Sequence, residues 1–146
     1  MTCTEKDQLR ATVLVIDDSP EVRRYLRLVL ETDHYRVEVA ANGESGLERL
    51  RTGWTPSVVL LDMQMPGMDG LQTLRHLREL LPELKVIMCS SQDDPELIRQ
   101  AILLGAQAYL VKPVRHLYLS AALERCLSGQ SAASPNPLAP ALEMTH

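Results

Sequence analysis

Acids stand where acids are costly in this chain. Asp17 and Asp18 follow the apolar run TVLVI at 12–16, and Asp62 ends the run VVLL at 58–61. Ser90 and Ser91 follow KVIMC at 85–89, and Lys112 follows AYLV at 108–111. A carboxylate at the end of a buried run is unfavourable unless a cation or hydrogen bonds compensate it. Three carboxylates brought together repel one another and tend to hold a proton. A hard dication removes that conflict, and Mg2+ takes oxygen ligands: one or two carboxylates, phosphate oxygens and waters. An aspartate can also attack phosphorus and form an aspartyl phosphate. A metal ion and a lysine would then neutralise charge on the transferring group. A hydroxyl at Ser90 would hydrogen-bond a phosphate oxygen.

For these side chains to meet, the runs that carry them must end on one side of one sheet. The sequence predicts strands at 12–16, 36–40, 58–61, 85–89 and 108–111. It predicts helices starting at Pro20 behind a Ser19 cap, and over 44–50, 71–81, 95–104 and 114–127. All strands but the weak second are continuously apolar, as expected when both faces are covered. Strands alternating with helices predict an α/β fold with a parallel sheet and right-handed crossovers. Ligands in such sheets sit beyond the carboxyl ends of the strands, which is where the three acids, Ser90 and Lys112 fall. The first helix is expected to turn Val22, Tyr25, Leu26, Val29 and Leu30 inward and Arg23, Arg24 and Arg27 largely outward. Leu71, Leu74, Leu77 and Leu81 form the stripe of the third helix, with Leu80 beside it and Arg75 and Arg78 toward solvent. Asp69–Gly70 reads as that helix's turn and cap.

Length and composition bound the rest. The chain has 146 residues, enough for one compact domain. We expect an N-terminal extension over 1–10, the domain over 11–128 and a flexible Ala/Ser/Pro-rich tail or linker over 129–146. A net charge of −4 supplies no basic field and argues against direct nucleic-acid binding. No apolar run approaches the roughly 20 residues needed to span a bilayer, and MTCTEKDQLR has no signal-peptide core. The expectation is a cytoplasmic protein that does not bind membranes. Cys3, Cys89 and Cys126 lack CxxC spacing and read as free thiols. The four histidines show no metal spacing. With no Phe, the core must be aliphatic.

The stretches VLVIDDSP, VVLLDMQMPGMDG, KVIMCSS and GAQAYLVKP, in this order, are specific together. Over roughly 11–127 the chain resembles the receiver domain of bacterial two-component response regulators. That resemblance implies a flavodoxin-like receiver fold: five parallel strands in order 2-1-3-4-5 with helices on both faces. It implies Asp62 as phosphoacceptor, Asp18 as a direct Mg2+ ligand, Asp17 as a helper acting mostly through water, and the Gln64 backbone carbonyl as a further ligand. Lys112 would pair with the phosphoryl group, before a cis bond to Pro113. Ser90 and Tyr109 would form a switch that remodels the surface of the fourth helix, fifth strand and fifth helix, a surface that could also pair two copies. The implied partners are a sensor histidine kinase and a downstream effector protein or fused output domain. The implied chemistry is self-catalysed phosphorylation and dephosphorylation only.

Gln64 occupies a position that varies in the family and tunes how long the phosphate lasts. Gln107–Ala108 and Val114 depart from the acidic pair and the Phe common in its winged-helix branch. A haloacid-dehalogenase-like phosphatase would need a second Asp where Gln64 stands. A scaffold receiver working without phosphate would have lost an acidic, hydroxyl or lysine residue, and none is lost. The alternative output is that of a longer transcriptional or cyclic-dinucleotide regulator whose N-terminal receiver this chain would be.

Overall fold

The computed structural model describes residues 10–129. Apart from Arg10 and Gly129, the expected extension and tail lie outside the described residues, as do Cys3 and His146. Strands β1 (Thr12–Ile16), β2 (Arg36–Ala40), β3 (Val58–Asp62), β4 (Lys85–Ser90) and β5 (Ala108–Val111) alternate with helices. The helices are α1 (Pro20–Thr32), α2 (Gly43–Arg51), α3 (Gly70–Leu80), α4 (Pro95–Leu103) and α5 (His116–Leu127). The sheet order is β2-β1-β3-β4-β5 and every pairing is parallel.

Continuous apolar runs become central strands because successive side chains point to opposite faces and both faces are covered. Leu14, Ile16, Val59, Leu61, Val86 and Met88 pack with Leu47, Leu74, Leu77 and Ala101, under α2, α3 and α4. Val13, Val15, Val58, Leu60, Ile87 and Cys89 pack with Leu26, Leu30, Leu119 and Leu123, under α1 and α5. Each such aliphatic side chain contributes about 1.5–3 kcal/mol when fully buried.

Local chemistry starts the helices. Ser19 Oγ accepts from Val22 N at 3.2 Å and Pro20 follows it. Asn42 caps α2, accepting from Ser45 N at 2.7 Å. Asp69 and Gln72 form a reciprocal capping box at α3, with bonds of 2.8 and 3.0 Å. Gly70 is where α3 presses on the end of β3: a Cβ there would lie 2.5 Å from the Asp62 carbonyl oxygen and 2.6 Å from Met63 Cα. Only a residue without a side chain fits.

Element ends shift by a residue or two, and four differences from the sequence expectation bear on packing. Helix α5 starts at His116 rather than Val114; Val114 is buried, and its carbonyl accepts from Tyr25 Oη at 2.9 Å. Tyr25 itself is 43% exposed, because Leu26 and Leu30 take the centre of the α1 stripe and Tyr25 flanks it. Arg23 is half-buried and donates from Nη1 to the Asp17 carbonyl at 2.7 Å. Arg78 is also half-buried: its stem lies over Gly105, and Nη1 donates to the Pro82 carbonyl at 3.1 Å. Its Nε and Nη2 are buried without a partner among the described residues, and burial lowers its pKa.

Cys89 and Cys126 are free and buried. Burial pushes their thiols up to about 12 and about 11, so neither is a thiolate at neutral pH. Among the described residues no helix is long and apolar enough to cross a membrane.

Candidate functional site

Parallel strands bring their carboxyl ends to one edge. Asp17 N continues the β1–β2 ladder, donating to the Ala40 carbonyl at 3.1 Å. Asp62 is the last residue of β3, paired in register with Cys89 of β4. Ser90 ends β4 beside Val111 of β5, and Lys112 follows directly. The Lys112–Pro113 bond is cis.

Asp17 and Asp62 are 1% and 4% exposed, while Asp18 is exposed. Each of the three offers a carboxylate oxygen, and these oxygens lie within 4.8 Å of one another. Asp17 Oδ1 accepts from Ser19 N at 2.9 Å, and Asp17 Oδ2 accepts from Lys112 Nζ at 2.9 Å. Asp62 Oδ1 accepts from Lys112 Nζ at 3.1 Å and from Gln64 N at 3.3 Å. Burial, and then the charge of Asp17, raise the Asp62 pKa to about 6, against the opposing pull of Lys112. Burial works against the Lys112 charge too, but the bonds and charges of Asp17 and Asp62 outweigh it and raise the Lys112 pKa.

Two of the three clustered carboxylates thus share one ammonium, and the donor set is all oxygen. That arrangement fits a hard divalent cation such as Mg2+ and no soft metal. The exposed Asp18 lies on the side open to solvent, and the two buried acids lie beneath it.

Ser90 is fully buried, and its Oγ accepts from Gln92 N at 3.0 Å. Tyr109 is 1% exposed and donates from Oη to the Gln92 carbonyl at 2.9 Å; burial raises its pKa. The two expected switch side chains therefore hold the same loop residue, Ser90 at its N–H and Tyr109 at its carbonyl. The Gln64 side chain turns to the β4–α4 loop, where its Oε1 accepts from Ser91 Oγ at 3.1 Å. Neither that bond nor the Arg23 contact to Asp17 has a signal in the sequence, since both join residues through the fold rather than through a local pattern.

Residues 13–124 match the family model described as the response regulator receiver domain. The chain is 44% identical over 116 residues to the positive alginate biosynthesis regulatory protein of Pseudomonas aeruginosa, a match covering 77% of this chain and 46% of that protein. It is 36% identical over 130 residues to the nitrate/nitrite response regulator protein NarL of Escherichia coli, covering 88% of this chain and 60% of NarL. The chain thus spans about half of each relative's length. A chain of the CheX–CheY–BeF3–Mg2+ complex from Borrelia burgdorferi superposes with a TM-score of 0.76 at 25% identity, covering 81% of this chain and 90% of that one.

Proposed function

This chain belongs to the response regulator receiver domain family, a family of signalling domains, and from that premise we propose that Asp62 is its phosphoacceptor. A carboxylate oxygen of Asp62 attacks the phosphorus of a phosphohistidine on a sensor histidine kinase. An O–P bond forms, the N–P bond breaks, and the electron pair stays with the imidazole. The observation that carries this reading is the single Lys112 ammonium shared by Asp17 and Asp62, beside Asp18.

The site fits Mg2+, which would be held by Asp17, Asp18, Asp62 and the Gln64 backbone carbonyl. When bound there it would neutralise phosphoryl oxygens as a Lewis acid; the Borrelia neighbour is a complex that contains BeF3 and Mg2+, in keeping with a dication in a receiver-like fold. Asp62, with a pKa of about 6, is mostly ionised at neutral pH and so available as the nucleophile. Lys112 Nζ, already on Asp62 Oδ1, needs only a small movement to meet a phosphoryl oxygen. The Ser90 Oγ accepts from Gln92 N and keeps its proton to donate to that group.

Ser90 and Tyr109 both hold Gln92, so a phosphoryl group that pulls on Ser90 also shifts the loop that Tyr109 anchors. That biases two packings of the α4–β5–α5 surface, a population shift set by the phosphoryl contacts. The surface would then control an effector protein, a fused output domain or a second copy of the chain. The reading places the receiver over 11–128 in the cytoplasm and leaves catalysis at self-phosphorylation and dephosphorylation. The relatives' greater length favours the further reading that this receiver works within a longer transcriptional or cyclic-dinucleotide regulator.

The test is intact mass after incubation with Mg2+ and acetyl phosphate. Wild type should gain one phosphoryl group, Asp62→Asn none, and a chelator added beforehand should prevent the gain. A variant that still gains phosphate would overturn the assignment of Asp62.

A further inference from the structure

We propose that Arg23 is a positioning residue for the dication: it holds the peptide between Asp17 and Asp18 and so fixes where the Asp18 carboxylate stands. The inference rests on the reading of Asp17, Asp18 and Asp62 as a Mg2+ site. The three acids are not held alike. Asp17 accepts from Ser19 N and from Lys112 Nζ, both at 2.9 Å. Asp62 accepts from Lys112 Nζ at 3.1 Å and from Gln64 N at 3.3 Å. Asp18 is exposed, and among the described residues no hydrogen bond or ion pair holds its carboxylate. One of its oxygens nevertheless lies within 4.8 Å of the other two acids. With its side chain untied, Asp18 is kept there by its backbone.

Arg23 holds that backbone. Its Nη1 donates to the Asp17 carbonyl at 2.7 Å, the short distance of a charge-assisted bond. A carbonyl and the Cα of the next residue share one peptide plane, so fixing the Asp17 carbonyl sets the direction in which Asp18 leaves the strand. The anchor is itself seated. Arg23 N donates to the Ser19 carbonyl at 3.0 Å in the first turn of α1, and α1 is fastened to the sheet by buried Leu26 and Leu30. Two effects of Arg23 on a dication oppose each other. Its charge, close to the acids, repels the ion, so charge alone predicts tighter binding when Arg23 is removed. Its hold on the peptide spares the cost of ordering Asp18 when the ion binds, which predicts weaker binding. The half-buried, short bond favours the second.

The experiment is a Mg2+ titration of the full chain followed by amide chemical shifts, which read both the affinity and the intact fold. Arg23→Met keeps the aliphatic stem and removes the donor. Partners that orient metal ligands account for about 10–100-fold in affinity, and the half-exposed Arg23 belongs at the low end, about tenfold. Arg23→Met should therefore bind Mg2+ about tenfold more weakly than wild type. The contact is a single N–H on a carbonyl and not a two-pronged one, so Arg23→Lys should recover most of the loss. Arg24→Met removes an exposed neighbouring charge and should bind as tightly as wild type or tighter. Equal or tighter binding in Arg23→Met, an equal loss in Arg24→Met, or no recovery in Arg23→Lys would each overturn the inference while leaving the metal site in place. Loss of the native shifts throughout Arg23→Met would assign Arg23 to the fold and overturn it too. A wild-type chain indifferent to Mg2+ would overturn the reading of the three acids, and this inference with it.

Discussion

Lys112 Nζ lies 2.9 Å from Asp17 Oδ2 and 3.1 Å from Asp62 Oδ1, so one ammonium holds carboxylates from two neighbouring strands. It reaches them from the end of β5, across β4. The side chains are 19%, 2% and 5% exposed, dry enough that removing the ammonium leaves two nearly buried charges facing each other.

Lys112→Ala should therefore destabilise the fold at pH 7 by about 3 kcal/mol, the low end of the scale for losing one partner of a buried pair, because Lys112 is partly open to solvent. Added Mg2+ should recover part of the loss by supplying positive charge to the same acids. Denaturant unfolding with and without Mg2+ measures both; a variant as stable as wild type without the metal would show that the acids need no cation.

Asp62→Asn should stabilise the domain at neutral pH in the absence of divalent cations. Asp62 titrates near its ordinary value, about 4, when unfolded and at about 6 when folded. Between those values the folded state holds the extra proton, so stability falls as pH rises from about 4 to about 6. Above about 6 the whole penalty remains. Asparagine carries no such penalty. The expected gain is about 1–2 kcal/mol at pH 7, shrinking to nothing by about pH 4. A gain that did not depend on pH would point to packing instead of charge.

Mg2+ should raise the melting temperature, because on the proposed reading it would bind the clustered acids of the folded chain and not the unfolded chain. At a hundredfold excess over its dissociation constant the stabilisation is about 2.7 kcal/mol. Asp18→Asn removes an exposed carboxylate from the proposed ligand set and should lower the apparent affinity with little change in stability without metal. Thermal unfolding across a Mg2+ titration reads both quantities, and a wild-type curve indifferent to Mg2+ would count against the metal site.

Gly70→Ala should cost about 1–3 kcal/mol, the usual scale of overpacking. The new methyl would meet backbone, the Asp62 carbonyl oxygen and Met63 Cα, and not a side chain that can turn away. The strain falls at the end of β3, so metal affinity should drop with stability. Equal affinity in a destabilised variant would show that α3 and Asp62 move independently.

The tie between the Asp33 cap of α1 and α5 should be modest. Asp33 Oδ2 accepts from His116 Nε2 at 2.8 Å and from Ser120 Oγ at 2.7 Å. Burial works to raise the Asp33 pKa, but the bonds to Ser120 and His116 and the His116 charge outweigh it and lower the pKa. Its contribution is therefore present above the ordinary Asp value and is lost as pH falls below it. His116 is half exposed, so His116→Ala should cost at most about 1 kcal/mol, read by unfolding at pH 6. A larger loss would assign His116 a packing role.

The strand ends were legible because a strand covered on both faces appears in sequence as a short apolar run. An acid that ends such a run stands out against it. Asp17, Asp18, Asp62, Ser90 and Lys112 could be placed on one rim that way. The helix caps at Ser19 and Asp69 were legible for a similarly local reason: side chain and backbone partner are three residues apart. The strand order came only with the family resemblance, since apolar runs carry no record of which neighbour they pair with.

Tyr25, Arg78 and Val114 mark where local pattern stops informing. A helical period identifies the apolar stripe but not how far an adjoining element covers its edges. Tyr25 is left half out and Arg78 drawn half in for that reason. By itself the sequence determined the fold class, the five runs and the residue types at their ends, because those follow from covalent order and hydrophobic period. Tertiary structure alone decided that Lys112 is shared between Asp17 and Asp62, that Arg23 reaches the Asp17 carbonyl, and that Ser91 holds Gln64 across 27 residues of sequence. Hydrogen bonds depend on distances of a few tenths of an ångström, and those distances are set by the packing of whole elements against one another.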